Sequence, residues 1–356
     1  MDRFARRLAA FTTLAIAGCT PQGAPLTAAP TGHGSQAVTS YTDCLGGAYV
    51  NGKCQPLQLA SNLNRPFALA LDGTRVYWTV YDGGLVGDTS VLGGPVDAVA
   101  SGAQAAGPSG IAVTGGYVLY ATEVDNTIWR AAPGSASPTP VPLATGQARP
   151  ISVTTDGVYV YWANLDGGTL RRVRIRRTPL DNVETLADGM NRPWGLALYG
   201  GYLYWTNSAN EDPAWRGAIY RVPVAGGTPE KLSSAHQPYG IAVDASGIYW
   251  ADYAEGTINR IGLDGQPGPT GPVLWPNQAG PISLLRDGST LYWANYTGGQ
   301  VRRAALGAAA PEDVATSQLR PIGLAQDGLA LYWANDDWNT SGCAQPACGT
   351  IMKVAK

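Results

Sequence analysis

Four arginines stand immediately before prolines at corresponding places along the chain: Arg65, Arg149, Arg192 and Arg320. A guanidinium presents its donors as a rigid fork that suits carboxylates and phosphates, so four of them gathered together would form an anion-binding ring. If each instead pairs with a nearby Asp or a loop carbonyl, the same residues are structural. The fifth equivalent connection carries His236-Gln237, and Trp194, Trp215, Tyr239 and Trp338 would add flat apolar area on or near that face, with burial between blades the equal alternative for Trp194 and Tyr239. Acidic candidates are Glu123, Asp252, Asp336 and Asp337, which hold Ca²⁺ only where they converge with backbone oxygens. The chain has 2 His, and setting aside His33 leaves only His236, too little for a His-rich metal site. No nucleophile elbow, phosphate loop, zincin helix or Rossmann glycine pattern is present. We therefore expect no catalytic residue and no bound metal or organic cofactor, with Ca²⁺ the one option left open.

The elements that position these residues are repeats. A proline opens each unit at Pro66, Pro108, Pro150, Pro193, Pro238, Pro281 and Pro321, and an aromatic follows at one invariant offset: Trp78, Tyr120, Trp162, Trp205, Trp250, Trp293 and Trp333. The period is about 42 residues, which is propeller-blade length. The fifth unit shows four strand signals, at 239–243, 248–251, 257–261 and 272–275, each bounded by Gly, Asp, Asn or Pro. With 46 Gly and 26 Pro in 356 residues, long helices are disfavoured. The pattern predicts an all-β, seven-bladed propeller with four-stranded blades over residues 55–356.

The two chain ends complement each other. An extra outer-strand signal at 55–59 precedes the first unit, and the last unit stops after its third strand at 350–354. Antiparallel pairing of these segments closes the ring. It also puts Cys54 and Cys348 at opposite ends of that strand, roughly 20 Å apart at ~3.3 Å per residue. A disulfide needs Cα atoms within about 7 Å, so local bridges Cys44–Cys54 and Cys343–Cys348 are expected.

Strings such as Tyr204-Trp205-Thr206-Asn207 and Tyr249-Trp250-Ala251-Asp252, followed by Gly256 to Arg260 and Leu263-Asp264-Gly265, resemble the YWTD repeats of low-density-lipoprotein-receptor propellers. Less closely, the chain is similar to NHL-type propellers. The resemblance covers about residues 55–356 and implies the propeller architecture. This chain has Asn164, Asn207, Asn295 and Asn335 where that family usually has Asp, and seven units where it has six.

Most repeated residues are expected to be architectural. The second-strand aromatics form the core, and the Asn or Asp just beyond them bonds the following turn. Arg130, Arg172, Arg221, Arg260, Arg303 and Lys353 cross-link blades. Small residues two places after each proline (Ala68, Gly110, Ser152, Gly195, Gly240, Ser283, Gly323) suit strands crowded around an axis. The loops between second and third strands lengthen in unit four (Trp205 to Gly217) and unit seven (Trp333 to Gly349), and the one in unit one after Trp78 is expected to be similarly irregular. They share a face with the connections that carry the arginines, and insertions and binding residues collect on such a face.

The N-terminus specifies location. Arg3, Arg6 and Arg7 precede an apolar run at 8–17, then Gly18 and Cys19, the layout of a secretory signal. Ten helical residues rise only about 15 Å, half of the ~30 Å of a bilayer core, so this segment does not span. Ile16-Ala17-Gly18-Cys19 resembles a bacterial lipobox, which implies acylation of Cys19 and residence in the cell envelope. Residues 1–18 are thus read as signal peptide, 19–40 as a flexible Thr/Ala/Pro/Gly tether and 41–54 as a disulfide-stapled lead-in.

A net charge of −2 from 24 Lys+Arg and 26 Asp+Glu lacks the basic footprint of a nucleic-acid binder. Two functional classes remain. One is a monomeric, lipid-anchored binding or scaffold module for a protein, glycan or small anionic ligand. The other is a metal-dependent hydrolase or lyase with a site at the central channel, similar in outline to virginiamycin B lyase or to propeller lactonases.

Overall fold

A computed structural model describes residues 44–50, 52–134, 139–176, 182–208, 216–268, 271–336 and 348–356. Seven four-stranded antiparallel sheets follow one another around an axis, each ordered from an inner strand to an outer one. The inner strands are Pro66–Leu71, Pro108–Thr114, Pro150–Thr155, Pro193–Tyr199, Pro238–Asp244, Pro281–Asp287 and Pro321–Gln326, in blades 1 to 7. Each inner strand touches the next, and that of blade 7 touches that of blade 1, so the ring is closed.

Closure occurs as the chain ends predict. The outer strand of blade 7 is Leu57–Leu63, paired antiparallel with the C-terminal strand Gly349–Ala355 through Leu57 with Lys353 and Leu63 with Gly349. Lys353, buried in this seam, donates to the carbonyls of Val91 in blade 1 (2.7 Å) and Leu45 in the lead-in (3.4 Å). Burial pulls its ammonium below the usual lysine range. Cys44 and Cys54 form a disulfide across the lead-in. Cys348 is also disulfide-bonded; Cys343, its expected partner, lies outside the described residues.

The core is built between blades from the second strands. Trp78, Trp162, Trp205, Trp250, Trp293 and Trp333 are almost completely buried, as is Tyr120. The small residues after the prolines are required by the neighbouring blade: a Cβ at Gly195 would overlap the Tyr239 carbonyl oxygen, and one at Gly323 the Phe67 carbonyl oxygen. Four of the six expected basic cross-links are present. Arg130 donates to the Ile175 carbonyl, Arg172 to that of Val224, Arg221 to that of Leu263, and Lys353 to that of Val91. Arg260 and Arg303 instead bond within their own blades, to the Ser246 carbonyl and to Glu312. The junction of blades 5 and 6 has an ion pair between Arg286 and Asp244.

The asparagines beyond the tryptophans also behave differently from expectation. They bond side chains rather than turn backbone: Asn164, Asn295 and Asn335 each donate to a glutamine of the preceding connection. An amide serves here because the acceptor it meets is another amide, already shared with the tryptophan. Asp252 does bind backbone, accepting from the amides of His236, Gln237 and Glu255.

Candidate functional site at the channel mouth

One hydrogen bond recurs in every blade and builds the rim of the channel. The residue before each repeat proline offers its carbonyl to the amide of the residue sixteen positions later: Tyr81 to Arg65, Glu123 to Gly107, Leu165 to Arg149, Ser208 to Arg192, Tyr253 to Gln237, Tyr296 to Gly280 and Asp336 to Arg320. This bond ties the connection into the inner strand to the loop after the second strand, so both lie on one face, as the sequence predicts. The loop of blade 1, from Val80 to Leu85, is not irregular: it has the same length as that of blade 3, from Asn164 to Thr169, because Gly83-Gly84 makes the same tight turn as Gly167-Gly168. Two rings result. The first contains the four arginines; the second is Tyr81, Glu123, Leu165, Ser208, Tyr253, Tyr296 and Asp336.

The backbone at the first ring is unusual. Arg65, Arg149, Arg192 and Arg320 all have positive φ, at 62°, 59°, 52° and 50°. Left-handed backbone costs an L-residue roughly 1–2 kcal/mol relative to right-handed, and glycine nothing comparable. The equivalent residues in blades 2 and 6 are Gly107 and Gly280, at 62° and 64°. The fold therefore favours glycine at this position and carries arginine at four of the seven.

The arginines are held in place by what surrounds them. Arg65 donates to both carboxylate oxygens of Asp82 at 3.0 Å and lies over the Tyr81 ring. Arg149 donates to Glu123 at 2.9 Å and reaches the more exposed Asp166 at 3.5 Å. Arg320 stands over the ring of Tyr296, whose hydroxyl donates to Asp336 at 2.8 Å. Burial pushes the Glu123 carboxyl above the usual carboxylate range, against the pull of Arg149. Burial also raises the hydroxyls of Tyr81 and Tyr296 well above an ordinary tyrosine.

Below the rim the channel narrows. Phe67 of blade 1 and Trp194 of blade 4 come from non-adjacent blades, yet their ring centroids are 6.5 Å apart, so they meet across the axis. Trp194 packs edge-on against Tyr239 at 4.8 Å, and Tyr239 against Tyr253 at 5.7 Å. Trp194 and Tyr239 are thus buried in the channel rather than spread on the face. They line an axial cavity of about 230 Å³ whose wall is otherwise largely aliphatic, with Ile282, Leu284, Ile322 and Leu324. The mouth is a polar cup over an apolar floor.

The structure gathers Arg65, Arg149, Arg192, Gln237 and Arg320 on one rim. His236 sits beside it, paired with Glu255 at 3.3 Å over the junction of blades 4 and 5. Trp215, Asp337 and Trp338 lie outside the described residues. Glu123, Asp252 and Asp336, offered as Ca²⁺ ligands, belong to blades 2, 5 and 7 and engage Arg149, backbone amides and Tyr296 respectively. Among the described residues no group of three or more His, Cys, Asp or Glu converges to hold a metal. The second ring does not stand out by residue type in the sequence, although its fixed sixteen-residue offset from the first is visible there.

No family model matches the chain, and no curated protein matches it in sequence. Solved structures do. The fold is that of a β-propeller. Virginiamycin B lyase from Staphylococcus aureus has 16% identity and a TM-score of 0.65, over 85% of this chain and 98% of that one. A chain of a nidogen/laminin complex has 19% identity and a TM-score of 0.53, over 67% and 92%. The PQQ-bound aldose sugar dehydrogenase from Streptomyces coelicolor has 16% identity and a TM-score of 0.51, over 84% and 96%. At these identities the likeness is one of fold, and it includes binding proteins as well as enzymes.

Proposed function

We propose that this chain is an exported propeller, anchored through lipid on Cys19, that acts as a monomer and binds a carboxylate- or phosphate-bearing ligand in the cup at its channel mouth. One observation carries the reading: four arginines are kept in left-handed backbone where the same fold uses glycine in blades 2 and 6. Strained residues of this kind persist where their side chains are needed. The carboxylates now facing Arg65 and Arg149 include the partly exposed Asp82 and Asp166, which an incoming anion can replace without leaving a buried charge unpaired. The test is a binding panel of uronic-acid, sulfated and phosphorylated glycans and acidic peptides. The wild-type chain binds members of the panel, and the fourfold Arg→Gln variant at 65, 149, 192 and 320 loses them. Undiminished binding by that variant overturns the reading.

A second reading, catalysis at the same mouth, is supported by Glu123 alone. A buried carboxyl with a raised pKa is the kind of group that acts as a general acid or base. Its short bond to Arg149 favours a structural role. Since quinupristin is the ligand in a solved form of virginiamycin B lyase, incubation with it and chromatographic separation of any product tests this reading; Glu123-dependent consumption of the compound would favour catalysis.

A further inference from the structure

Three blades carry an internal guest. In blade 3, the side-chain oxygen of Gln147 accepts hydrogen bonds from the indole of Trp162 (3.1 Å), the amide of Asn164 (3.2 Å) and the guanidinium of Arg171 (3.4 Å). Blade 6 repeats this with Gln278, accepting from Trp293 (3.0 Å), Asn295 (3.3 Å) and Arg302 (3.1 Å). Blade 7 repeats it with Gln318, accepting from Trp333 and Asn335, both at 3.0 Å. In each case the glutamine stands three residues before the repeat proline. Its own NH₂ group donates to a backbone carbonyl two residues back, at 2.9 Å each time. The blade architecture thus contains a pocket for a carboxamide.

Blade 5 has the pocket without the guest. Its position three before Pro238 is Ala235, the last residue of an outer strand, opposite Gly217. Trp250 keeps its place, 2% exposed, and its indole N–H is buried without any hydrogen-bond partner. A buried donor left unpaired is costly. Beside it opens a cleft of about 210 Å³, lined by Trp250, Ala235, His236, Asp252, Glu255 and Asn259 among others. Blade 1 lacks the glutamine as well, with Leu63 in that position, and the indole N–H of Trp78 is likewise buried and unpaired, but it packs against Gly87, where even a Cβ would lie 3.1 Å from the nitrogen. Blade 4 lacks it too, with Met190 in that position, but there Trp205 donates to Asn207 at 3.0 Å. Blade 5 has Asp252 in place of that asparagine, with its oxygens committed to backbone amides.

We propose that this cleft binds a primary carboxamide, the group at the end of a glutamine or asparagine side chain, presented by a peptide. The ligand oxygen accepts from Trp250 as Gln147, Gln278 and Gln318 accept in their own blades. Asp252 and Glu255, set against Arg216 in the same wall, disfavour a carboxylate of the same shape, and Glu255 offers an acceptor to the ligand NH₂. The site is separate from the arginine rim and does not depend on it.

Propanamide and propionate serve as probes, with the ¹⁵N-labelled full chain and the Trp250 indole cross-peak assigned through Trp250→Phe. Millimolar propanamide should move that peak downfield toward those of Trp162, Trp293 and Trp333, and propionate should leave it in place. Ala235→Gln should bring the peak to the same position with no ligand added and abolish the response. No movement with propanamide, equal movement with propionate, or an intact response in folded Ala235→Gln would each overturn the proposal. If that variant does not fold, calorimetry of Trp250→Phe decides the matter. The heat of propanamide binding vanishes if the indole is the donor and persists if it is not.

Discussion

Ring closure by the strand Leu57–Leu63 gives a prediction whose size follows from the structure. Leu59 and Leu63 point into the core with 9% and 7% exposure, on a strand that reaches the C-terminal strand only by coming from the far end of the chain. Leu→Ala at a buried site costs about 2–5 kcal/mol, so the double substitution removes about 4 kcal/mol at the low end from the packing that holds this strand. Every 1.4 kcal/mol is about a factor of ten, so opening of the seam becomes about a thousandfold more frequent. Hydrogen exchange read by mass spectrometry should show protection across Gly349–Ala355 falling by that factor. Protection in Tyr202–Asn207, on the opposite side of the ring, should fall much less, because opening one seam leaves the other blades paired. Equal loss in both segments would refute a separable seam, and no loss in either would refute closure by this strand.

Other expectations follow from particular hydrogen bonds and close approaches. Asp72, Asp156 and Asp327 each accept a tyrosine hydroxyl, from Tyr77, Tyr161 and Tyr332, along with backbone amides of their hairpins. Burial works to raise these carboxyls, but the hydrogen bonds outweigh it and hold them below the usual range. Their contribution is therefore present above the unfolded-state value and is lost as pH falls through the folded one, so the urea midpoint should drop below about pH 4. The triple Asp→Asn variant should flatten that acid limb; an unchanged limb would contradict the assignment. Gly195→Ala forces a Cβ onto the Tyr239 carbonyl and should destabilise by about 1–3 kcal/mol in denaturant titration. Gln147→Leu leaves the buried donors of Trp162 and Asn164 without their acceptor and should cost about 1–3 kcal/mol, whereas a neutral result would show that water replaces the amide.

The architecture was legible because each blade repeats the same local chemistry: a proline to start the inner strand, an aromatic to fill the gap between blades, and glycine at the turns. Seven copies average out the ambiguity of any one. Closure was legible for a related reason, since an unpaired outer-strand signal at one end and a missing one at the other leave a single complementary pairing. The site was less legible. The residue types at the rim can be read from the sequence, but that Arg65, Arg149, Arg192 and Arg320 occupy glycine-like backbone depends on the carbonyl each offers to a residue sixteen positions on. The roles of Trp194 and Tyr239 depend on ring size and on which blades face each other across the axis. The glutamines at 147, 278 and 318 carry no signal of their own, because they mean nothing until their blades bring the tryptophan and asparagine to them. Once that network is seen, Ala235 stands out among the blades without the glutamine because the unpaired indole of its blade borders a cleft.

The claim that the rim arginines are kept for a ligand meets its most direct test in the fourfold Arg→Gly variant at 65, 149, 192 and 320. Glycine relieves the left-handed backbone while deleting the guanidinium; combined with Glu123→Gln, so that the buried partner of Arg149 is not left as an unpaired carboxylate, the relief of roughly 1–2 kcal/mol per position offsets the loss of the more exposed ion pairs and of the stacking over Tyr81 and Tyr296. Stability and binding should therefore separate: a melting temperature equal to or above that of the wild-type chain, with binding across the anionic panel abolished. A variant that loses several kcal/mol of stability, or that keeps its binding, would show the arginines to be structural struts and contradict the account.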